Sequence, residues 1–359
     1  GGKGVAKFMD AGVPYSVFVS MTVPGDIVQA KIVSLRHRFA EASLVEIKKK
    51  SPDRAAPPCP FFGECGGCDW QHVKYPVQLR EKQRLVREAV EKAQKGGFDL
   101  LQIIPSEPYG YRDRARFHSD KGSKDYILGL KARQSNKIVD IDQCLVCSPQ
   151  INRRLALARA GKEGPILDFA TSSVVPLNEF GVSLHYYPQC FTQSNFTQNV
   201  RLVKVVLDML DLKEDDTILD LYSGIGNFGL PASKLVKSVV GIEGSPASVM
   251  AASENARSHR IRNASFRHSD VLGWLKGHKL KFDAVIADPP RDGLGDAFRF
   301  LNGSNIKRVV LVSCDLRSLS VDLRSLTNYR VDKVQPIDMS PQTYHVETVV
   351  LLKKKGQNS

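Results

Sequence analysis

The chain has 359 residues, 42% hydrophobic and 25% charged, with 51 Lys plus Arg against 38 Asp plus Glu and a net charge of +13. These are the proportions of an ordinary soluble protein long enough for two or three domains whose cores need no disulfides. No apolar run approaches the ~20 residues of a membrane span, and no signal sequence opens the chain, so we expect a cytoplasmic monomer with no membrane partner.

Residues 1–50 alternate apolar and polar positions between Gly and Pro punctuation. Val17–Val19, Ile27–Val33 and Ala42–Ile47 read as short strands, and several short strands in so little chain predict a small barrel of the kind that binds oligonucleotides. Lys48-Lys49-Lys50 leads into a Pro-rich linker, Ser51 to Pro58. A solvated edge explains those lysines as simply. The overall basic excess points to a polyanionic partner, with nucleic acid ahead of mere solubility.

Seven cysteines is an odd number, and Cys59, Cys65, Cys68, Cys144 and Cys147 fall in the first half of the chain. In a chain of this size they predict a reduced compartment and a metal or catalytic role. Cys59-x5-Cys65-x2-Cys68 plus a distant thiol suits either a tetrahedral zinc or an iron–sulfur cluster. Paired Cys-x2-Cys knuckles favour zinc, while the lone Cys59 and the double Gly favour a cluster. Composition leaves the two close to even.

A charged helix is predicted from Gln78 to Gln94, then mixed strands and helices from Ile103 to about Cys190. Within that stretch Arg112, Arg114 and Arg116 alternate as on one face of a strand. Three such guanidiniums suit the phosphates of a folded RNA. The simpler reading is an exposed strand paired with acids on its neighbour.

From Val200 the pattern becomes strand, helix, strand, helix, which predicts a parallel sheet flanked by helices. Thr217–Leu221 is a buried strand running into Tyr222-Ser223-Gly224-Ile225-Gly226-Asn227, where glycines allow a tight turn and close approach to a ligand. The next strand ends in Glu243, 23 residues beyond Asp220, a distance at which an acid accepts hydrogen bonds from ribose hydroxyls. The third strand ends in Asp270, whose carboxylate faces an adenine amine, and the fourth in Asp288 before Pro289-Pro290. Gly224-x-Gly226-x-x-Gly229 also satisfies the spacing of a nicotinamide dinucleotide site. The Asp-Leu-Tyr-Ser-Gly lead-in and the Asp-Pro-Pro end favour S-adenosylmethionine.

The fifth strand, residues 306–314, ends in Cys314. A cysteine between a strand end and a helix N-terminus feels the positive end of the helix dipole, which favours thiolate. Alone it would read as a small buried hydrophobe, and Glu347 at the start of the last strand as a sheet-edge acid. Beside a methyl donor they make a mechanism. A thiolate adds to carbon 6 of uracil, carbon 5 takes the methyl group, and a base removes the proton on carbon 5 so that the thiol leaves.

Together these residues resemble the iron–sulfur-containing RNA uracil-5-methyltransferases, in the branch that modifies 23S ribosomal RNA, over nearly the whole chain. The resemblance rests on Cys65-Gly66-Gly67-Cys68-Asp69-Trp70-Gln71-His72, Phe191-Thr192-Gln193, Ser313-Cys314 and His345-Val346-Glu347-Thr348. It implies three domains: an N-terminal TRAM/OB-like β-barrel (1–50), a central α+β iron–sulfur domain (51–190) and a C-terminal α/β Rossmann-like class I methyltransferase (191–359). It implies a 4Fe–4S cluster on Cys59, Cys65, Cys68 and Cys144, with Leu145 where the family usually has Pro and Cys147 as an extra thiol. Gln193, Tyr222, Asn227, Glu243, Asp270 and Asp288 would line the S-adenosylmethionine site, Cys314 and Glu347 would be nucleophile and base, and Arg112, Arg114, Arg116 and Phe191 would meet RNA.

The same reaction on a transfer RNA is the nearest alternative, disfavoured on the expectation that simpler transfer-RNA enzymes lack the barrel and the cluster. Amino-group methylation of a base is further off, since Arg291 stands where such enzymes carry an aromatic. An RNA-binding protein with secondary catalysis is the reading from another class. A radical enzyme is opposed by the absence of Cys-x3-Cys-x2-Cys.

Overall fold

The computed structural model describes residues 2–10, 13–94, 96–120, 126–161 and 166–356. Four strands, Gly4–Asp10, Val13–Val19, Ile27–Arg36 and Phe39–Lys49, form the N-terminal sheet in the order first, second, fourth, third. The ladders do not close this sheet into a ring. Among the described residues the first and third strands are edges that do not pair with each other. Three register shifts between the third and fourth strands bend the sheet instead. The strand Gly4–Asp10 precedes the three segments that read as strands in the sequence. The sheet is tied to the next body by the ion pair Arg54–Asp26 at 2.7 Å. The Asp26 carboxylate also accepts the Val23 and Ser51 N–H groups.

The central body is an antiparallel sheet ordered Ile138–Asp140, Ile127–Lys131, Arg114–Asp120, Ile166–Ala170, with the helix Pro149–Gly161 against it. Its core holds Phe117, Leu128, Ile151 and Leu155, all fully buried. The helix Tyr75–Ala93 turns Val86 and Val90 into a core shared with Leu319 and Leu323 of the helix Leu316–Ser325. The hairpin Val174–Leu177 and Val182–His185 packs with the helix Phe196–Leu210. Both therefore belong to the C-terminal body. Apart from the buried Lys82, the charges on the Tyr75–Ala93 helix cover one face, and the other face decides where it sits.

The C-terminal body is an eight-stranded sheet. Its order is Ala264–His268, Ser238–Glu243, Thr217–Leu221, Ala284–Ala287, Arg308–Ser313, Glu347–Lys354, Tyr329–Ile337, Asp99–Leu100. The first five strands run parallel, and Glu347–Lys354 is inserted antiparallel beside the fifth. Strands buried on both faces explain the continuous apolar runs of Ala284–Ala287 and Val309–Val312. The order reverses between Thr217–Leu221 and Ala284–Ala287, and open sheets of this kind bind ligands outside the carboxyl ends of the strands at that point.

Candidate active site

A cleft of about 1010 Å³ opens at that reversal. Its floor begins where Thr217–Leu221 ends. Tyr222 takes a left-handed φ of 62°, and Gly224 and Gly226 follow at 53° and 88°. A side chain at Gly224 would project into open space, the room a ligand needs there. The turn is tied to the next strand by Glu243, whose two carboxylate oxygens accept the N–H of Gly224 at 2.9 Å and of Ser245 at 2.7 Å. Asp270 caps the helix Val271–Gly277 by accepting the Gly273 N–H at 2.7 Å. Asn227 is locked in a reciprocal amide pair with Asn199 at 2.8 and 3.0 Å. With Gln193 and Asp288, all six expected cofactor residues line this one cleft. Asp220, one strand position inward, is fully buried, and burial holds its carboxyl well above the ordinary range.

Cys314 and Glu347 meet at the same edge. The antiparallel ladder ends with Ser313 opposite Thr348, which brings Cys314, one residue later, and Glu347, one residue earlier, to the same end of the strand pair. Both face the cleft. Burial, then the charge of Asp288, pushes the Glu347 carboxyl up to about 8, and burial pushes Asp288 up to about 7. The Cys314 thiol is pushed up to about 11, by burial first and then by Glu347, with Arg291 pulling the other way. The expected help from the helix dipole is not realised. The Asp315 carboxylate already occupies the helix N-terminus, accepting the Arg317 and Ser318 N–H groups at 2.8 and 3.1 Å.

The three arginines do not form one row. The strand starts only at Arg114, and Arg112 turns inward with its Nε buried and without a hydrogen-bond partner. Arg114 is spent inside the protein: a bidentate pair with Asp168 at 3.1 and 2.9 Å, and bonds to the Cys190 and Pro188 carbonyls. Arg116 is exposed and shares Asp168 at 3.2 Å. The reading of a strand paired with an acid on its neighbour therefore holds for Arg114 and Arg116. Phe191 stands 74% exposed at the cleft rim.

Cys59, Cys65, Cys68 and Cys144 surround one small void of about 20 Å³, walled by Phe61, Phe62, Leu130 and Ile141. Arg112 lines both this void and the large cleft. Cys147 is not on the void's wall; its side chain bonds Cys144, which lowers the Cys144 thiol to about 6 and raises its own. Burial raises Cys65 and pushes Cys68 up to about 12. Among the described residues no three His, Cys, Asp or Glu side chains converge as ligands of a single metal ion. The sequence alone did not indicate that Gly66, Gly67 and Asp69 also form the far wall of the large cleft. The double Gly was legible as a signal: a side chain at Gly66 would sit 3.0 Å from the Lys131 carbonyl.

A family profile described as tRNA (Uracil-5-)-methyltransferase matches residues 168–355. A 23S rRNA (uracil(1939)-C(5))-methyltransferase RlmD from Vibrio parahaemolyticus is 31% identical, covering 96% of this chain and 93% of its own. The chain belongs to the RNA uracil-5-methyltransferase family. It is accordingly an enzyme. A second member of the family, RlmD of Francisella tularensis subsp. novicida, is 28% identical across 98% of this chain and 94% of its own. Among solved structures, a Pyrococcus abyssi tRNA (uracil-54, C5)-methyltransferase in complex with S-adenosyl-L-homocysteine is 25% identical with a TM-score of 0.72. It covers 98% of this chain and 99% of its own. That match corrects one expectation: the N-terminal sheet and the cysteine-bearing body do not by themselves separate ribosomal-RNA enzymes of this family from transfer-RNA enzymes. The family profile spans Gln193 to Glu347, Cys314 included, but not Cys59, Cys65, Cys68, Cys144 and Cys147 or the three arginines.

Proposed function

We propose that this enzyme methylates carbon 5 of a uridine in 23S ribosomal RNA, using S-adenosylmethionine and a transient bond between Cys314 and carbon 6. The observation that carries the reading is that Cys314 and Glu347 line one cleft together with the Gly224–Glu243 turn. Bound there, S-adenosylmethionine would supply an electrophilic methyl group. Glu243, fixed by two N–H groups, keeps lone pairs for ribose hydroxyls, and Asp270, Tyr222, Asn227, Asp288 and Gln193 complete the walls. The Cys314 thiolate attacks carbon 6, and the carbon 5 anion so formed takes the methyl group. Glu347 then removes the carbon 5 proton, and the electron pair expels the thiolate. Phe191 at the rim and the exposed Arg116 are the RNA-facing residues, the first by stacking on a base, the second by its charge.

The fit of a 4Fe–4S cluster rests on donor chemistry: four thiols around one void, with the buried Arg112, whose Nε has no hydrogen-bond partner, to balance their negative charge. Cys59, Cys65, Cys68 and Cys144 would hold it, in a structural role. The 23S assignment is supported by the RlmD relatives. A transfer-RNA uridine is the second reading, favoured by the Pyrococcus abyssi match.

Purified under nitrogen, the protein is expected to transfer labelled methyl from S-adenosylmethionine to unmodified 23S ribosomal RNA, at a uridine identified by mapping, and to contain iron and acid-labile sulfide. Label entering only transfer RNA would replace the first reading with the second.

A pH profile follows from the raised acids. Glu347 acts as the carboxylate, and a carboxyl pushed up to about 8 holds its proton at pH 6. Cys314, pushed up to about 11, likewise gains its active form as pH rises. Single-turnover rates are therefore expected to climb from pH 6 to 9, by up to about tenfold per unit where one proton must be lost. A flat profile between pH 6 and 8 would contradict these protonation states.

A further inference from the structure

The connection between the last two strands, Asp338 to Val346, is both a wall of the cleft and the segment that delivers Glu347. Its backbone is accounted for by distant parts of the chain. Every carbonyl from Asp338 to Gln342 accepts a hydrogen bond: from Gln198 Nε2, Asn195 Nδ2, Lys82 Nζ, Tyr111 Oη, and the N–H groups of Asp69 and Trp70 in turn. Lys82 and Asp338 form an ion pair at 2.7 Å with neither side chain exposed, and Tyr75 Oη donates to the second Asp338 oxygen at 3.0 Å. Gln78, also fully buried, donates to Gln342 Oε1 at 2.9 Å and accepts the Gln342 N–H at 3.1 Å. Gln342 sits at φ 66°, a left-handed conformation that a residue other than glycine keeps only when its surroundings impose it.

A loop exposed only to solvent would need none of this. Burying a lysine and a carboxylate is costly, and a pair of this kind makes poor sense as a source of stability. It makes sense as a device that admits one conformation. The face held by Lys82 and Gln78 is the back of the loop, and its front presents Met339, Ser340, Thr343 and His345 to the cleft.

We propose that Lys82 and Gln78 are positioning residues for proton removal: through Asp338, Ser340 and Gln342 they fix the loop that sets Glu347 against carbon 5. They touch neither substrate nor donor. The proposal rests on the assignment of Cys314 as nucleophile and Glu347 as base. It also gives the cysteine segment a route to the cleft, because the Asp69 and Trp70 N–H groups that hold the Gln342 carbonyl follow directly on Cys68.

The distinguishing measurement is the fate of the covalent intermediate on ordinary RNA. A misplaced base leaves attack and methyl transfer intact but stalls elimination. With Lys82→Met and Gln78→Met we expect turnover to fall by about 30- to 100-fold, within what one general base contributes. An RNA–protein adduct on unmodified uridine RNA should then accumulate on denaturing gels. Binding of S-adenosylmethionine and trapping by 5-fluorouridine RNA should stay within about threefold of the parent protein. Should Lys82→Met fail to fold, as judged by its melting curve, Gln78→Met decides alone, since it leaves the ion pair intact. Turnover, donor binding and trapping that fall together, or turnover that does not change, overturn the positioning role. A parent protein that never traps 5-fluorouridine RNA overturns the Cys314 assignment itself, and this proposal with it.

Discussion

Replacing Cys314 by alanine is expected to abolish methyl transfer, with a loss of at least about 10⁴-fold, because nucleophilic addition is what makes carbon 5 reactive. Nothing else in the cleft substitutes for it. Cys65 and Cys68 line the small void and not the cleft, whose wall carries no thiol but Cys314 among the described residues. Binding of S-adenosylmethionine should be unchanged within about twofold, since the Gly224 turn and Glu243 stand on other strands. The side chain is half-buried, and removing one sulfur from the cleft wall leaves the adjoining strand core untouched. RNA affinity should likewise persist, and 5-fluorouridine RNA should no longer be trapped. Retained methylation in this variant would return the chain to a reading in which the thiol is a packing residue.

The parts of the site that the sequence discloses are those that stand at strand ends. Tyr222, Glu243 and Asp288 each follow or close an apolar run, and an apolar run in this pattern is a buried parallel strand whose carboxyl end faces the crevice. Cys314 is legible for the same reason, whereas Glu347 opens an antiparallel strand. Their meeting depends on the antiparallel insertion of that last strand, and the register of the pairing is set by packing rather than by local signals. The Lys82–Asp338 pair was illegible because its partners stand 256 residues apart, and the lysine reads as one more surface charge on an amphipathic helix. The dipole argument at Cys314 failed for a local reason: the next residue, Asp315, is itself a helix cap. The arginine row failed because alternation describes side chains only within a strand, and the strand begins two residues after Arg112.

Replacing Glu347 by glutamine separates the two halves of the mechanism. The carboxamide keeps the shape of the side chain but accepts no proton, so addition and methyl transfer should proceed while elimination stops. Turnover is expected to fall by about 10²- to 10⁴-fold, the range for loss of a general base. The enzyme should collect as a methylated adduct on ordinary uridine RNA. The substitution also removes a negative charge next to the thiol. Glu347 raises the Cys314 thiol after burial does, so its neutralisation should lower that thiol and shift the pH dependence of 5-fluorouridine trapping towards lower pH. An acid whose folded value is raised opposes ionisation: its burial is tolerated while it stays protonated, and the cost grows as pH climbs towards about 8. The glutamine variant should therefore match the parent in stability at acidic pH and exceed it above pH 8, measured by thermal melts. A variant that loses turnover without collecting adduct would place Glu347 before methyl transfer, as a residue that helps to form the intermediate rather than to resolve it.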